Sequence, residues 1–177
     1  MYENIFQRIK MADFPIECRA AYAFAKYKHN QTGAVRKGSG LPYFVHPKGV
    51  AMIVLENGGT VEQINSALLH DTIEDTDTSS FELKTLFGQK VASIVWELTN
   101  SKIEIEELGK EEYMSKKLIN LSEDTLTVKL ADFIYNMNDN PVDKTLERMY
   151  RNIYHLLSNR PGLSEINKRL AYQAFAS

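Results

Sequence analysis

Apolar residues recur at three- and four-residue spacing along almost the whole of this 177-residue chain, the period of helices that bury one face. Asn-Gly or Asp-Gly turns between alternating runs are missing, so the pattern predicts helices and no hairpins. A short N-terminal helix is expected to end near Met11, and residues 16–27 place Ala, Phe and Tyr at helical spacing. Residues 29–41 lose the apolar period, gain glycines and serines, and predict a loop. Pro47, a favoured first-turn residue, opens a helix through Val50, Ile53, Val54 and Leu55 that Asn57-Gly58-Gly59 stops. Thr60 and Gln63 make a capping box for the next helix, which carries His70 to Asp75 at its C-terminal end.

Ser79 and Glu82 repeat the box before a short helix closed by Gly88. Residues 91–98 predict a central helix with Trp96 in the core. Residues 100–110 are charged and interrupted by Gly109, which predicts a mobile loop or frayed helix. Ser122 is placed to cap a helix burying Leu126, Leu130 and Ile134 and ending before Pro141. Residues 142–176 predict a structural pair of amphipathic helices parted by Pro161-Gly162, with Leu146, Met149, Ile153, Leu156 and Leu157 in one stripe. The fold class read from this pattern is all-α, a helical bundle in one domain spanning residues 1–177.

Charge and composition narrow the partners. A net charge of −2 offers no basic footprint for long DNA or RNA. No apolar run approaches the roughly 20 residues that span a bilayer, so no membrane partner is expected. Cys18 is the only cysteine and is read as inert. Residues 1–4 lack the features of a signal peptide, which points to the cytoplasm. Nothing in the sequence fixes an oligomeric state.

The chemistry concentrates in Ala67-Leu68-Leu69-His70-Asp71-Thr72-Ile73-Glu74-Asp75-Thr76, which sets an imidazole and three carboxylates directly behind an apolar run. On a continuous helix His70 would stack over Glu74, and Asp71 over Asp75, a costly arrangement unless a cation is held there. His46 at the head of one helix, His70 and Asp71 in another, and Asp132 in a third offer two imidazoles and two carboxylates. That donor set suits Mn²⁺, Fe²⁺, Zn²⁺ or Mg²⁺, and the lack of cysteine ligands argues against a closed structural zinc site. A cation so held makes water acidic and polarises a phosphoryl oxygen, so hydrolysis is the expected outcome. Glu74 and Asp75 are candidates to orient or deprotonate the water and to protonate the leaving oxygen, with mutual repulsion separating their proton affinities. Arg36, Lys37 and Ser39 supply cations and a hydroxyl suited to phosphate. Lys102 is a further candidate contact, and Asn136 falls one turn after Asp132. His29 and His155 have no evident partners and are read as structural or exposed.

Four blocks in order, Pro42-Tyr43-Phe44-Val45-His46-Pro47, the 67–76 run, Phe87-Gly88, and Lys129-Leu130-Ala131-Asp132 with Asn136, resemble the HD-domain hydrolases of the RelA/SpoT homologue family over residues 31–140. The resemblance implies a single HD-domain helical bundle that removes the 3′-pyrophosphate of guanosine tetra- or pentaphosphate with Mn²⁺. It implies His46, His70, Asp71 and Asp132 as metal ligands, and Glu74-Asp75 as the catalytic acidic pair. Substrate contacts are implied for Arg36 or Lys37, Ser39 and Asn136, with Tyr43 near the base or ribose. The chain has no room for the synthetase domain of bifunctional members.

One turn after Asn136, where the family often offers a hydroxyl residue, this chain carries Asp139, whose charge repels phosphate if it points inward. Two rivals follow: the same chemistry on another nucleotide, such as an adenosine alarmone or NADPH, and a module that binds nucleotide or metal without turnover. The paired acids speak against the second.

Overall fold

The computed structural model describes residues 5–37, 39–139 and 144–175. Gly38 of the basic loop, Pro141, and both outer ends of the expected C-terminal pair, Val142 and Ala176, lie outside them. The described residues are all-α: three 3₁₀ turns (Ile5–Arg8, Met11–Asp13, Ile16–Cys18) lead into helices α1 (Arg19–Thr32), α2 (Val45–Glu56), α3 (Val61–Leu69), α4 (Thr72–Asp75) and α5 (Ser80–Leu98). They continue as α6 (Lys102–Leu108), α7 (Lys110–Asn120), α8 (Glu123–Asp139), α9 (Lys144–Ser158) and α10 (Glu165–Phe175). Among the described residues the β pairing is one isolated antiparallel bridge, Val35 with Pro42.

The caps fall where local chemistry puts them. Thr60 Oγ1 accepts from the Gln63 backbone N–H while Gln63 Oε1 accepts from the Thr60 N–H, the reciprocal box that satisfies two orphan donors. Ser79 caps α5 through the Glu82 N–H, but the Glu82 carboxylate turns to Lys28 instead of closing the box. Gly88, at φ 87°, breaks the helical path inside α5, a backbone state that glycine adopts at little cost.

Several expectations are corrected. The N-terminal helix is a series of 3₁₀ turns. α1 runs on through His29 to Thr32, ending at left-handed Gly33, so the loop is shorter than residues 29–41 suggest. The 100–110 stretch is a formed helix, capped by Ser101 and stopped by Gly109 at φ 79°. Trp96 is 62% exposed rather than core, and Leu156 leaves the buried stripe while Met149, Ile153 and Leu157 stay in it.

α2 is the central element, buried from Val45 through Ala51 and packed along α3 and α8. Its Lys48 ammonium is tied off by the Gln7 and Ile9 carbonyls in the N-terminal turns. Behind the core, Gln63 on α3 donates to Asp124 and Thr127 of α8, and Asn167 of α10 donates to the Glu123 carbonyl. These bonds satisfy polar groups that burial would otherwise penalise.

The α2–α8 approach depends on Gly49: a Cβ there would overlap the Tyr135 ring. That ring also lies 4.7 Å, centroid to centroid, from the His46 imidazole. Gly49→Ala is expected to lower unfolding stability by about 1–3 kcal/mol, the usual cost of overpacking, read from urea melts followed by circular dichroism. An unchanged midpoint would show that the contact has room which the geometry denies.

Candidate functional site

His46 enters from the first turn of α2, His70 and Asp71 from the break between α3 and α4, and Asp132 from the middle of α8. The break differs from the continuous helix that the spacing predicts. At the break Thr72 Oγ1 donates to the Leu69 carbonyl, and the consecutive side chains of His70 and Asp71 meet at one point. His46 Nε2 and His70 Nε2 stand 3.1 Å apart. Asp132 Oδ1 is 3.2 Å from the first and 4.0 Å from the second. Asp71 Oδ2 lies 3.4 and 3.2 Å from the same two nitrogens. His46, His70 and Asp132 are buried, and each offers a ligand atom within 4.8 Å of the others.

Two imidazole nitrogens facing each other between carboxylates need a positive charge among them. The His70 Nδ1 lies 2.7 Å from the Ala67 carbonyl, which places a proton on Nδ1 and leaves Nε2 as a lone pair aimed into the cluster. Among the described residues the buried Nδ1 of His46 has no hydrogen-bond partner, and packing on Tyr135 and Tyr43 orients the ring instead. The donor set therefore fits a divalent cation, borderline to hard in preference.

A proton is the alternative occupant. Burial disfavours the imidazolium of His70, yet the Asp71 and Asp132 carboxylates outweigh it and lift His70 to about 9. Asp71 is held well below the usual carboxylate range: burial acts against this, and the His70 and His46 rings prevail. Asp132 is lowered in the same way, against burial, by Lys129 and both histidines. Lys129 Nζ donates to Asp132 Oδ2 and Asn136 Nδ2 to Oδ1, at 2.8 and 2.7 Å. Both oxygens are thus fixed in direction, the outer-shell role that orients a ligand. Tyr43 donates to Asp71 Oδ2 at 2.8 Å, and burial with the Asp71 charge keeps its phenol protonated.

Glu74 and Asp75 sit beside this cluster on α4. The Glu74 carboxyl is raised by burial first, with the Asn100 amides acting against the rise and the Asp71 charge adding to it. Asp75, more exposed, is raised by burial and by Asp71. Mutual repulsion is not among the causes for either group, so the split expected from their adjacency is replaced by a common upward shift. The stacking of His70 over Glu74 gives way to a Glu74 bonded to Asn100 Nδ2 at 3.1 and 3.4 Å.

The basic loop folds back on itself through Arg36 N–H to the Leu41 carbonyl and Tyr43 N–H to the Ala34 carbonyl. A cavity of about 370 Å³ opens there, walled by Arg36, Lys37, Tyr43 and Asp75. Arg36 is committed: Nε and Nη2 donate to Asp139 Oδ2 at 3.0 and 2.8 Å, and Nη2 donates to Asn136 Oδ1 at 3.0 Å. The guanidinium also lies 5.7 and 5.6 Å from the Tyr43 and Tyr135 ring centroids. Asp139 therefore points inward with its charge paired. Lys37 is exposed and, among the described residues, makes no hydrogen bond or ion pair.

Ser39 and Lys102 are exposed, and no bond among the described residues joins either to the cluster. Asn100, two residues before Lys102, is the group from that segment that reaches the site; sequence reasoning sought a cation there and passed over the amide. His29 was also passed over as a site neighbour: it is 1% exposed, its ring lies 5.2 Å from that of Tyr43, and burial lowers it to about 4. Cys18 is buried, and burial lifts its thiol to about 11, in keeping with an inert residue. Among the described residues, no helix is long and apolar enough to cross a membrane.

Against known proteins, the guanosine-3′,5′-bis(diphosphate) 3′-pyrophosphohydrolase of Aquifex aeolicus (strain VF5) is 36% identical over 167 residues, 90% of this chain and 23% of that protein. The chain thus spans about a quarter of the length of such bacterial relatives. The guanosine-3′,5′-bis(diphosphate) 3′-pyrophosphohydrolase MESH1 of Danio rerio is 41% identical over 118 residues, 66% of this chain and 64% of that one. The fold matches a solved structure described as "A metazoan ortholog of SpoT hydrolyzes ppGpp and plays a role in starvation responses", with a TM-score of 0.73 and 24% identity over 92% of this chain and 96% of that one. The HD domain profile matches residues 21–164, and with helices α2, α3 and α8 bringing two histidines and two aspartates to one point, this chain belongs to the HD domain family.

Proposed function

We propose that this chain is a metal-dependent phosphohydrolase that removes the 3′-pyrophosphate of guanosine tetra- or pentaphosphate, yielding GDP or GTP and pyrophosphate. The observation that carries the reading is the buried His46–His70–Asp71–Asp132 cluster, followed on α4 by Glu74 and Asp75, of which Asp75 also edges the cavity beside the basic loop. The activity named for the Aquifex aeolicus and Danio rerio relatives supports the substrate. In this reading residues 1–177 form one domain, its location is cytoplasmic, and the metal is Mn²⁺, held by His46, His70, Asp71 and Asp132.

The bound cation would supply acidified water and charge neutralisation at a phosphoryl oxygen. The residues of the chain do the rest. Lys129 and Asn136 hold Asp132 in direction, and Tyr43 holds Asp71. Lys37 and Ser39 take phosphate oxygens, Asn136 and Tyr43 face the nucleoside, and Lys102 closes over the phosphates from α6. Arg36 acts as a fixed, charge-paired wall rather than as a loose phosphate cation, because Asp139 already accepts two of its N–H bonds. Glu74 accepts a proton from the attacking water as its oxygen bonds to the phosphorus carried by the 3′-oxygen. As that P–O bond breaks, the 3′-oxygen leaves as a hydroxyl, protonated through the acidic pair. Burial raises both carboxyls above the usual carboxylate range, the direction that favours taking and returning a proton.

Turnover of guanosine tetraphosphate, its adenosine counterpart, NADPH and nucleoside triphosphates, with Mn²⁺ and then with chelator, is the direct test. Metal-dependent release of pyrophosphate from the 3′ position is the expected result; no turnover of any of them with Mn²⁺ bound would favour the non-catalytic module. Glu74→Gln is expected to lower kcat by about two to four orders of magnitude, the usual worth of acid–base catalysis, with Mn²⁺ affinity within a few-fold. Unchanged turnover would remove Glu74 from the mechanism.

Metal binding should also depend on pH in a defined direction. His70 titrates at about 9 in the metal-free protein, so at pH 7 the cation must displace a proton, and affinity should rise as pH increases toward 9. Calorimetry of Mn²⁺ binding in two buffers of different ionisation enthalpy should report about one proton released at pH 7. A pH-independent affinity with no proton release would show that His70 is neutral before the metal arrives.

A further inference from the structure

Beside Glu74, α5 ends at Leu98 and the chain turns through Thr99, Asn100 and Ser101 before α6. Lys117 of α7 secures this turn from below. Its ammonium lies 2.9 Å from the Leu98 carbonyl, 2.7 Å from the Thr99 carbonyl, 3.2 Å from Asn100 Oδ1 and 3.3 Å from the Tyr113 hydroxyl. The Tyr113 oxygen also accepts the Ser101 N–H at 2.9 Å. An ammonium can only donate, so it fixes which way the Asn100 amide faces: oxygen toward Lys117, NH₂ toward Glu74. The two Glu74 oxygens then lie 3.1 and 3.4 Å from Nδ2.

We propose that Asn100, its amide oriented by Lys117, is a positioning residue for Glu74, fixing the carboxylate in one rotamer through the contacts of Nδ2 with its two oxygens. The inference rests on the proposed role of Glu74 as proton acceptor. The other charges around Glu74 are Asp71 before it, Lys129 on α8 and Lys117 on α7; Glu97 and Glu104 act on Lys117 from α5 and α6. Burial, with Lys129 adding to it, lowers Lys117 to about 8. A cavity of about 600 Å³, edged by Trp96, Asn100, Tyr113 and Lys117, lies against the network, so a substitution at Asn100 meets open space on one side and Glu74 on the other.

Asn100→Asp tests the proposal. The new carboxylate keeps one oxygen for Lys117 and presents the other, now a like charge, to Glu74. The Glu74 carboxyl, followed by ¹³C NMR on the full chain with diamagnetic Mg²⁺, is expected to titrate higher by about 1 pH unit or more, because a like charge beside a carboxyl disfavours its ionised form. kcat should fall about tenfold to a hundredfold through misplacement of the base, while KM and Mn²⁺ affinity change less than about twofold. An Asn100 that only stabilises the fold would lower thermal stability and leave kcat within about twofold of the parent, and that result would overturn the proposal.

Should Asn100→Asp not fold, Asn100→Ala removes the donor without adding charge. It too must raise the Glu74 titration and lower kcat at constant KM; a Glu74 that titrates as in the parent would overturn the proposal. The NMR reading needs no turnover. It therefore still decides the role of Asn100 if Glu74→Gln shows the catalytic assignment to be wrong.

Discussion

Two imidazole nitrogens, 3.1 Å apart in an interior walled by the rings of Tyr135 and Tyr43, are the demand that the rest of this fold answers. Such a pair is stable only with positive charge between or beside it, and the three helices that meet there carry what is needed to balance that charge. α8 contributes Asp132 together with the Lys129 and Asn136 that aim it. The break after α3 contributes Asp71, whose second role is to accept from Tyr43. The close α2–α8 approach at Gly49 brings His46 within reach of Asp132. Packing and electrostatics are one problem here, since a shift of α2 that relieved the Tyr135 contact would also separate the nitrogen from its carboxylate.

Much of the architecture was legible in the sequence because the controlling signals are local. Thr60 with Gln63, Ser79 and Ser122 cap helices through bonds within four residues, and Gly88 and Gly109 mark real interruptions at positive φ. The convergence of His46, His70, Asp71 and Asp132 was legible too, since each falls at a helix start or on a face one turn from apolar residues. The N-terminal segment was less so: its turns are shaped by what they cover, chiefly Lys48, whose ammonium they receive. No periodicity encodes that.

The misread residues share a cause. Trp96 and Leu156 sit at apolar spacing yet point outward, because period alone does not tell which of two adjacent stripes faces the core. The Asn100 amide, which reaches Glu74, carries no local signal, because it is placed there by a lysine seventeen residues further on. His29 had no partner in sequence because its neighbour, Tyr43, arrives only when the loop closes. The roles of Arg36 and Lys37 could not be separated by position, since what distinguishes them is Asp139, 103 residues away in the chain.

That last pairing ties two distant positions into one hereditary unit. The side chains of Arg36 and Asp139 are only 12% and 3% exposed, so neither charge can be replaced alone without leaving its partner unpaired and poorly solvated. A lineage that changed residue 139 to a small hydroxyl would release a guanidinium into the pocket, and one that changed residue 36 would strand a carboxylate there. Divergence of this pocket must therefore pass through joint substitution or through an intermediate of reduced stability, whatever nucleotide the descendant comes to prefer.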